Sequence, residues 1–294
     1  MSVDFSSLKK NKGFDSLVKE IEKLASPTAT SGKDDRYWQP DVDKAGNGYA
    51  VIRFLPAPAG EDVPWVRLWT HGFKGPTGKW YIENSLTTLN QPDPVSEYNT
   101  QLWNSNSDEN KKIATAQKRK LYYISNIYVV KDPTRPENEG KVFLFKYGKQ
   151  IFDIIKDTMD PQFEDDDAVN PFDFWKGANF KLKIRQLDGY RNYAKSEFDS
   201  ASPLSDDDSK LENIWKQQFS LKEVIDPKNF KSYDELKKRF EMVLSAAPAS
   251  KAESVTLENF ESKSKPMPTA RTAQEVDLDD EDESLDYFSK LANS

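Results

Sequence analysis

The stretch LYYISNIYVV at residues 121–130 predicts a β-strand, because β-branched and aromatic residues dominate it. The loop DPTRPENEG at 132–140 follows, and VFLFKYG at 142–148 predicts the strand that returns. Two strands joined by a short loop form an antiparallel pair, since parallel strands need a long crossover. This strand–loop–strand unit indicates a fold built on an antiparallel sheet.

The same pattern continues on both sides of this pair. Further strands are predicted at residues 49–55, 65–69, 79–82 and 179–187. In the last of these, NFKLKIRQL, apolar and basic residues alternate, as in a strand with one buried face. Helices are predicted at 150–159 and after Ser232, which forms a capping-box pattern with Glu235. Many short strands with a few helices predict a mainly β fold, a small barrel or a sandwich.

The composition of the 294-residue chain excludes several classes of chemistry. Cysteine is absent and His71 is the only histidine, which rules out disulfides, thiolate nucleophiles and sulfur-based metal sites. No run of 18 apolar residues occurs, and the first ten residues lack the apolar segment of a signal peptide. We therefore expect an intracellular protein with no membrane partner and no cofactor.

Charge is distributed unevenly along the chain, whose net charge is −7. Residues 251–294 hold 11 acids and 5 bases, and eight of those acids lie between 275 and 286 without a base. Such a block repels itself and predicts a disordered acidic tail that serves interactions. Residues 111–156 hold 11 bases against 4 acids. This basic block is the electrostatic footprint that nucleic acid requires, despite the acidic net charge.

Aromatic and basic residues alternate in three of the predicted strands and in the segments beside them. The residues are Lys118, Arg119, Lys120, Tyr122, Tyr123, Tyr128, Phe145, Lys146, Tyr147, Lys149, Lys181, Lys183, Arg185, Tyr190, Arg191 and Tyr193. A single-stranded nucleic acid requires cations that follow its phosphates and rings that stack on its unpaired bases. The same pattern also fits rings in the core and cations on a solvated face, and both interpretations stay open.

Two other classes of function compete with nucleic-acid binding. Acid clusters at 164–167 and 206–208 suggest a metal-dependent nuclease, although consecutive acids in a polar loop seldom converge on one ion. The other alternative is an acidic scaffold that mimics nucleic acid and binds another protein, which the basic block at 111–156 opposes. We expect a binding protein and not an enzyme, with no catalytic residues.

Several segments in consistent order resemble the single-stranded-DNA-binding, helix-destabilising proteins of T-even-like bacteriophages. They are AGNGYAVIRFLP at 45–56, THGFK and GKWYIE within 70–83, KRK and NIYVVKDP within 118–133, PENEGKVF at 136–143, and GANFKLKIRQ and GYRNY within 177–193. The resemblance implies an OB-fold core at 35–250 with a subdomain at about 65–110. It also implies a basic N-terminal arm at 1–34 and an acidic tail at 251–294.

The resemblance further implies a function and the residues that carry it. Members of this family bind single-stranded DNA without sequence preference in phage replication, recombination and repair, in the cytoplasm of the infected bacterium. Their arm contacts the next protomer and makes binding cooperative, and their tail shields the DNA groove and recruits replication and recombination proteins. The groove residues correspond to Arg53, Lys118, Arg119, Tyr123, Tyr190 and Tyr193, with Phe145 in place of a tyrosine and Trp103 as a further ring.

This sequence departs most from the family at the family's metal site. Family members bind structural zinc through one histidine and three cysteines, at positions that correspond to His71, Ser85, Asp93 and Ser96. Without a thiolate a sulfur-rich tetrahedral site cannot form, so we expect no zinc. Packing must then stabilise the subdomain. The rings expected to do so are Trp65, Trp69, Trp80 and Tyr81.

Overall fold

A computed structural model describes residues 34–163, 167–187 and 189–245. The acidic tail and nearly all of the N-terminal arm lie outside the described residues. So do the predictions made for them, which are self-association through the arm and partner binding through the tail.

Nine strands lie within the described residues, and six of them match positions predicted from the sequence. They are β1 (Tyr37–Trp38), β2 (Gly48–Phe54), β3 (Val66–Lys74), β4 (Trp80–Asn84), β5 (Lys120–Lys131), β6 (Val142–Tyr147), β7 (Phe180–Leu187), β8 (Tyr190–Asn192) and β9 (Glu197–Phe198). The short strands β1, β8 and β9 are additions to the predicted set. The predicted mainly β class with added helices is confirmed.

Six α-helices accompany the strands in the same part of the chain. They are α1 (Pro94–Asn104), α2 (Asp108–Ala116), α3 (Lys149–Met159), α4 (Asp208–Lys216), α5 (Leu221–Val224) and α6 (Tyr233–Leu244). The predicted capping box starts α6, where the Ser232 and Glu235 side chains each accept a hydrogen bond from the other's backbone N–H. Helices α1 and α2 begin after side-chain caps at Asp93 and Ser107.

Strand β5 organises the sheet. On one edge it pairs antiparallel with β6, from Tyr123 opposite Tyr147 to Tyr128 opposite Val142. On the other edge it pairs first with β3 and then with β2. A strand of 12 residues spans about 40 Å and can therefore accept two successive neighbours on one edge. β4 extends the sheet beyond β3, and β7 extends it beyond β2.

Side chains from five strands meet in one apolar core. Its members include Trp38 of β1, Ile52 and Phe54 of β2, Ile127 of β5, Phe145 of β6 and Phe180 of β7. Because strands far apart in the order β1-β6-β5-β2-β7 share this core, the sheet is strongly curved. Ile151 and Ile155 of α3 also pack into this core.

A second core lies between β3, β4, α1 and α6. Phe73 and Tyr81 stack at 5.2 Å between ring centroids, and Phe240 of α6 packs against both. The region expected at about 65–110 therefore includes a helix from the far end of the described chain. Of the four rings expected to stabilise it, Tyr81 lies in this core, whereas Trp80 is 58% exposed.

Helices α4 and α5 cover the outer face of the sheet. Leu211 of α4 packs with Val142, and Leu221 of α5 packs with Ile124. Strand β5 thus meets apolar surroundings on both faces, which explains its nearly unbroken run of apolar and aromatic residues. Among the described residues, no helix combines the length and apolar character that crossing a bilayer demands.

Candidate nucleic-acid interface

Three half-buried aromatic residues, Trp65, Phe152 and Tyr193, pack against the main core, and half-buried Trp69 lies four positions after Trp65 on the same face of β3. We call Trp65, Trp69, Phe152 and Tyr193 the aromatic rim. The Phe152 ring of α3 lies edge-on to Trp65, with 5.6 Å between centroids. The backbone N–H of Tyr193 donates to the Gln150 side chain of α3, at 3.3 Å. All four residues are therefore partly exposed to solvent.

Strand register places Trp69 on the core side of β3. Trp69 lies opposite Leu121, and Arg67 lies opposite Tyr123, so these four side chains share a face. The Tyr123 ring stacks on Phe152 at 3.7 Å between centroids, which links strand β5 to α3. Phe152 is therefore fixed in place between a strand and a tryptophan.

Cations lie beside the aromatic rim. The Arg119 guanidinium carbon is 4.2 Å from the centroid of the Trp69 ring, a cation–π contact. Arg67 is exposed on the same face, and the exposed Lys118 and Lys149 lie just before Arg119 and at the start of α3. Partly exposed rings beside cations are the combination that a single-stranded nucleic acid requires for base stacking and phosphate contacts.

The structure brings together part of the predicted set. Arg119, Lys118, Lys149 and Tyr193 lie at or next to the aromatic rim. Trp103 is exposed on α1, one turn after Asn99, whose side chain donates to the carbonyl of Gln117 just ahead of Lys118.

Four predicted contact residues lie in the interior. Tyr123, Phe145 and Tyr147 are 8%, 3% and 3% exposed and belong to the main core. The Tyr147 hydroxyl is hydrogen-bonded to Ser125 at 2.9 Å, and burial raises its pKa. A ring enclosed by core side chains offers no face to a base. The structure therefore assigns these three rings to packing, and the fourth residue is Arg53.

Arg53 is completely buried and fastens a distant loop to β2. Its Nη2 donates to the backbone carbonyls of Asp173 and Ser202, at 3.0 and 2.7 Å. Burial lowers the pKa of the guanidinium to about 10, which leaves it charged at neutral pH. We therefore revise the predicted groove role of Arg53 to a structural one, because its donors are directed at backbone and not at solvent.

Four other predicted residues lie on the opposite face of β5 and β6. Exposed Lys120 starts β5, and the Lys146 ammonium lies 4.1 Å from the centroid of the Tyr122 ring. Tyr128 packs beside the α4 cluster. Since alternate residues of a strand face opposite sides, Tyr122 and Tyr128 cannot share a face with Trp69 and Arg119.

Two of the predicted basic residues of β7 form ion pairs with acidic side chains. Lys181 is paired with Asp199, and the Lys183 ammonium lies 2.7 Å from Glu197 of β9. Each pair weakens the attraction of that lysine for phosphate. Arg185, Arg191 and Tyr190 are exposed at the β7–β8 hairpin, where Tyr190 is 69% exposed. This hairpin ends at Tyr193 and so leads directly to the aromatic rim.

The sequence-based candidates omitted Trp65, Arg67, Trp69 and Phe152. A signal for three of them is present in WVRLW, where two tryptophans and an arginine fall on one face of a strand. Phe152 gave no such signal, because an aromatic residue in an amphipathic helix is ordinarily a core residue.

Two of the described carboxylates proposed for a nuclease serve local structure. Asp207 caps α4 by accepting from the backbone of Ser209 and Lys210, and Asp208 accepts from the Trp175 indole. Residues 164–166 lie outside the described residues. In the part of the chain that the structure describes, no group of three histidines or carboxylates could hold a metal ion.

The positions implied for zinc form a buried hydrogen-bonded network. His71 Nε2 lies 3.1 Å from Asp93 Oδ1, and Ser85 Oγ donates to Asp93 Oδ2 at 2.9 Å. The other ring nitrogen, His71 Nδ1, lies 3.1 Å from the carbonyl oxygen of Gln117. Burial raises the pKa of Asp93, but hydrogen bonds from His71, Ser96 and Ser85 outweigh burial and lower it to about 2.

The curved sheet and the aromatic rim with its cations define a β protein of the nucleic-acid-binding class. The chain belongs to the gp32 DNA binding protein like family, whose sequence model matches residues 46–244. The family resemblance inferred from the sequence is thereby confirmed.

Individual relatives extend this similarity beyond the matched region. The single-stranded DNA-binding protein of Enterobacteria phage T2 is 40% identical over 248 residues, 81% of this chain and 80% of that protein. The protein of the same name from Enterobacteria phage T4 is 40% identical over 247 residues, with the same coverage. A third, from Enterobacteria phage RB70, is 38% identical over 119 residues, 39% of this chain and 98% of that protein.

Proposed function

We propose that this chain binds single-stranded DNA without sequence preference, through the aromatic rim and the cations beside it. The observation that carries the proposal is the Arg119 guanidinium held 4.2 Å from the half-buried Trp69 ring. The names of the T2 and T4 relatives support it, since both are single-stranded DNA-binding proteins.

The mechanism combines stacking with electrostatics. Stacking on a protein ring contributes about 1–3 kcal/mol per base and tolerates every base, because each base has a π face. Cations that replace the counterions of a single strand make affinity fall with salt, by a log–log slope of about 0.7 per phosphate. In a duplex the base faces are already stacked. The rim therefore stabilises only unpaired strand and opposes hairpins.

The proposal includes an OB-fold for the core and a division into arm, core and tail at residues 1–34, 35–250 and 251–294. The strongly curved sheet with α3 packed on its core supports the OB-fold. Family membership supports the division into arm, core and tail. It also supports cooperative self-association through the arm and recruitment of phage replication and recombination proteins through the tail. The setting is replication, recombination and repair in the cytoplasm of an infected bacterium, and the activity is binding without catalysis.

Anisotropy of a labelled oligo-dT, titrated with the full-length protein in chelator, tests the proposal. Trp69→Ala should weaken binding about tenfold, because it removes one stacking face and the partner of Arg119. Trp80→Ala is the matched control and should stay within about twofold, since Trp80 is exposed on the neighbouring strand away from the rim. Duplex of equal length should bind far more weakly than oligo-dT.

Three outcomes would contradict the proposal. Equal losses in the two tryptophan variants would remove the rim from the interface. Strand degradation in Mg²⁺ that stops in chelator would establish the nuclease alternative. Lack of oligo-dT binding by the chain with and without residues 251–294 would favour the protein scaffold.

A further inference from the structure

The donor atoms at His71, Ser85, Asp93 and Ser96 do not fit a zinc ion. Structural zinc is held by thiolates and imidazoles, and this set offers no thiolate, one imidazole, one carboxylate and two hydroxyls. A serine hydroxyl is a weak ligand because it keeps its proton at neutral pH. Three of the four groups are also hydrogen-bonded within the protein already.

Both oxygens of the Asp93 carboxylate are fully used. Oδ1 accepts from the backbone N–H groups of Val95 and Ser96 and faces His71 Nε2, all at 3.0–3.1 Å. Oδ2 accepts from Ser85 Oγ and from the backbone N–H of Leu86, at 2.9 and 3.1 Å. A metal on either oxygen would have to displace these donors and uncap α1.

The imidazole of His71 is used in the same way. Its two nitrogens face a carboxylate oxygen and a backbone carbonyl oxygen, groups that can only accept. Both nitrogens thus lie 3.1 Å from protein oxygens, and a metal on either nitrogen would have to displace that contact. The Ser96 hydroxyl is buried without a hydrogen-bond partner among the described residues, but one hydroxyl does not hold an ion.

We propose that the His71–Asp93–Ser85 network replaces the structural metal of this region and that the protein folds without zinc. The network joins the elements that such an ion would join: β3 through His71, the β4–α1 connection through Ser85 and the start of α1 through Asp93. Through Gln117 it also holds the backbone directly ahead of Lys118 and Arg119. Hydrogen bonds thus fasten the region of the second core (β3, β4, α1 and α6), which we call the lobe, to the backbone ahead of Lys118 and Arg119.

The full-length protein, produced in zinc-supplemented medium, provides the first test. Elemental analysis should find less than about 0.1 zinc per chain, and a strong chelator should leave the melting temperature within about 1 °C. One zinc per chain, or a fall of several degrees in chelator, would overturn the proposal. These readouts do not involve DNA, so their failure is distinct from failure of the proposed function.

Substitutions separate the network from ordinary helix capping. Asp93→Asn keeps a good N-cap residue but removes the charge that faces His71, so the melting temperature should fall by about 10 °C. Asp207→Asn makes the same change at the exposed N-cap of α4 and should shift the melting temperature by no more than about 2 °C. Equal shifts in the two variants would show that Asp93 contributes only as a cap.

Restoring the ligands tests whether the network occupies the metal position. A variant with Ser85→Cys, Asp93→Cys and Ser96→Cys, together with the native His71, has the donor set of a tetrahedral site. It should bind one zinc per chain and become chelator-sensitive in its melting temperature. Failure of this variant to take up zinc would contradict the placement.

Discussion

Arg53 is a cation that the sequence predicts in the interface and that the structure places in the interior. Its Nη2 donates to carbonyls of Asp173 and Ser202, which lie 120 and 149 positions along the chain. Nothing near residue 53 carries information about partners so remote. The family resemblance singled out Arg53, but it could not distinguish a buried structural hydrogen bond from a phosphate contact.

Arg53→Met should lower the free energy of unfolding by about 2–4 kcal/mol, because buried carbonyls lose their donor. The salt dependence of oligo-dT binding should not change, whereas a lost phosphate contact would reduce its slope by about 0.7. Chemical denaturation and titrations at several salt concentrations measure both quantities.

Lys118→Ala is the reference for that experiment, since Lys118 is exposed beside the rim. It should leave stability within about 0.5 kcal/mol of wild type and reduce the salt slope. If Arg53→Met behaved like Lys118→Ala, Arg53 would belong to the interface after all.

At the scale of elements, local sequence patterns predicted where the strands lie. They did not predict which residues of each strand face the core. β5 and β6 follow from β-branched and aromatic residues on either side of a turn-rich loop. Which rings of β5 point inward depends on α3, α4 and α5, which come later in the chain and cover it on both sides. Tyr123 is therefore a core residue, while Trp69, on a neighbouring strand, keeps an open face.

Helix α6 shows the same limit in the second core. Its capping box and apolar periodicity predict a helix, yet nothing in them indicates packing against β3 and β4, more than 140 positions earlier. Phe240 fills the centre of that core and contacts Phe73, Tyr81 and Tyr98. The second core therefore depends on α6, which lies outside the range of about 65–110 expected for this subdomain.

Phe240→Ala should destabilise the protein by about 3–5 kcal/mol, through lost burial and the cavity left behind. Met242→Ala, on the same helix but 60% exposed, should change stability by less than about 0.5 kcal/mol. Thermal or denaturant unfolding of the two variants gives the comparison. A small effect of Phe240→Ala would mean that α6 is dispensable for the lobe.

At the scale of the whole molecule, the arrangement of charge matters more than its sum. Outside residues 251–294 the chain carries 38 acids and 37 bases, and it is nearly neutral. The excess of acid is confined to a segment outside the described residues. We propose that the acidic segment competes with the phosphates of DNA for the cations of the interface, and salt screens both attractions.

Changing the eight acids of residues 275–286 to amides should tighten oligo-dT binding about tenfold at 50 mM salt and very little at 500 mM. A version with the order of residues 275–286 scrambled, but its composition kept, should bind like wild type, because the effect is one of charge. Association rates and equilibrium titrations at the two salt concentrations measure it. Equal affinities of the amide variant and wild type at low salt would exclude competition by the tail.

The hydrogen-bonded network around His71 also bears on how much of this protein a cell can supply. A protein that coats exposed strand is needed in proportion to the length of that strand, so a metal ion in every copy would place a matching demand on the host's metal reserves. Thiolate ligands are, in addition, groups that peroxide oxidises. If the network replaces the metal as proposed, a lobe fastened by imidazole, carboxylate and hydroxyl needs neither zinc nor a thiolate in order to fold.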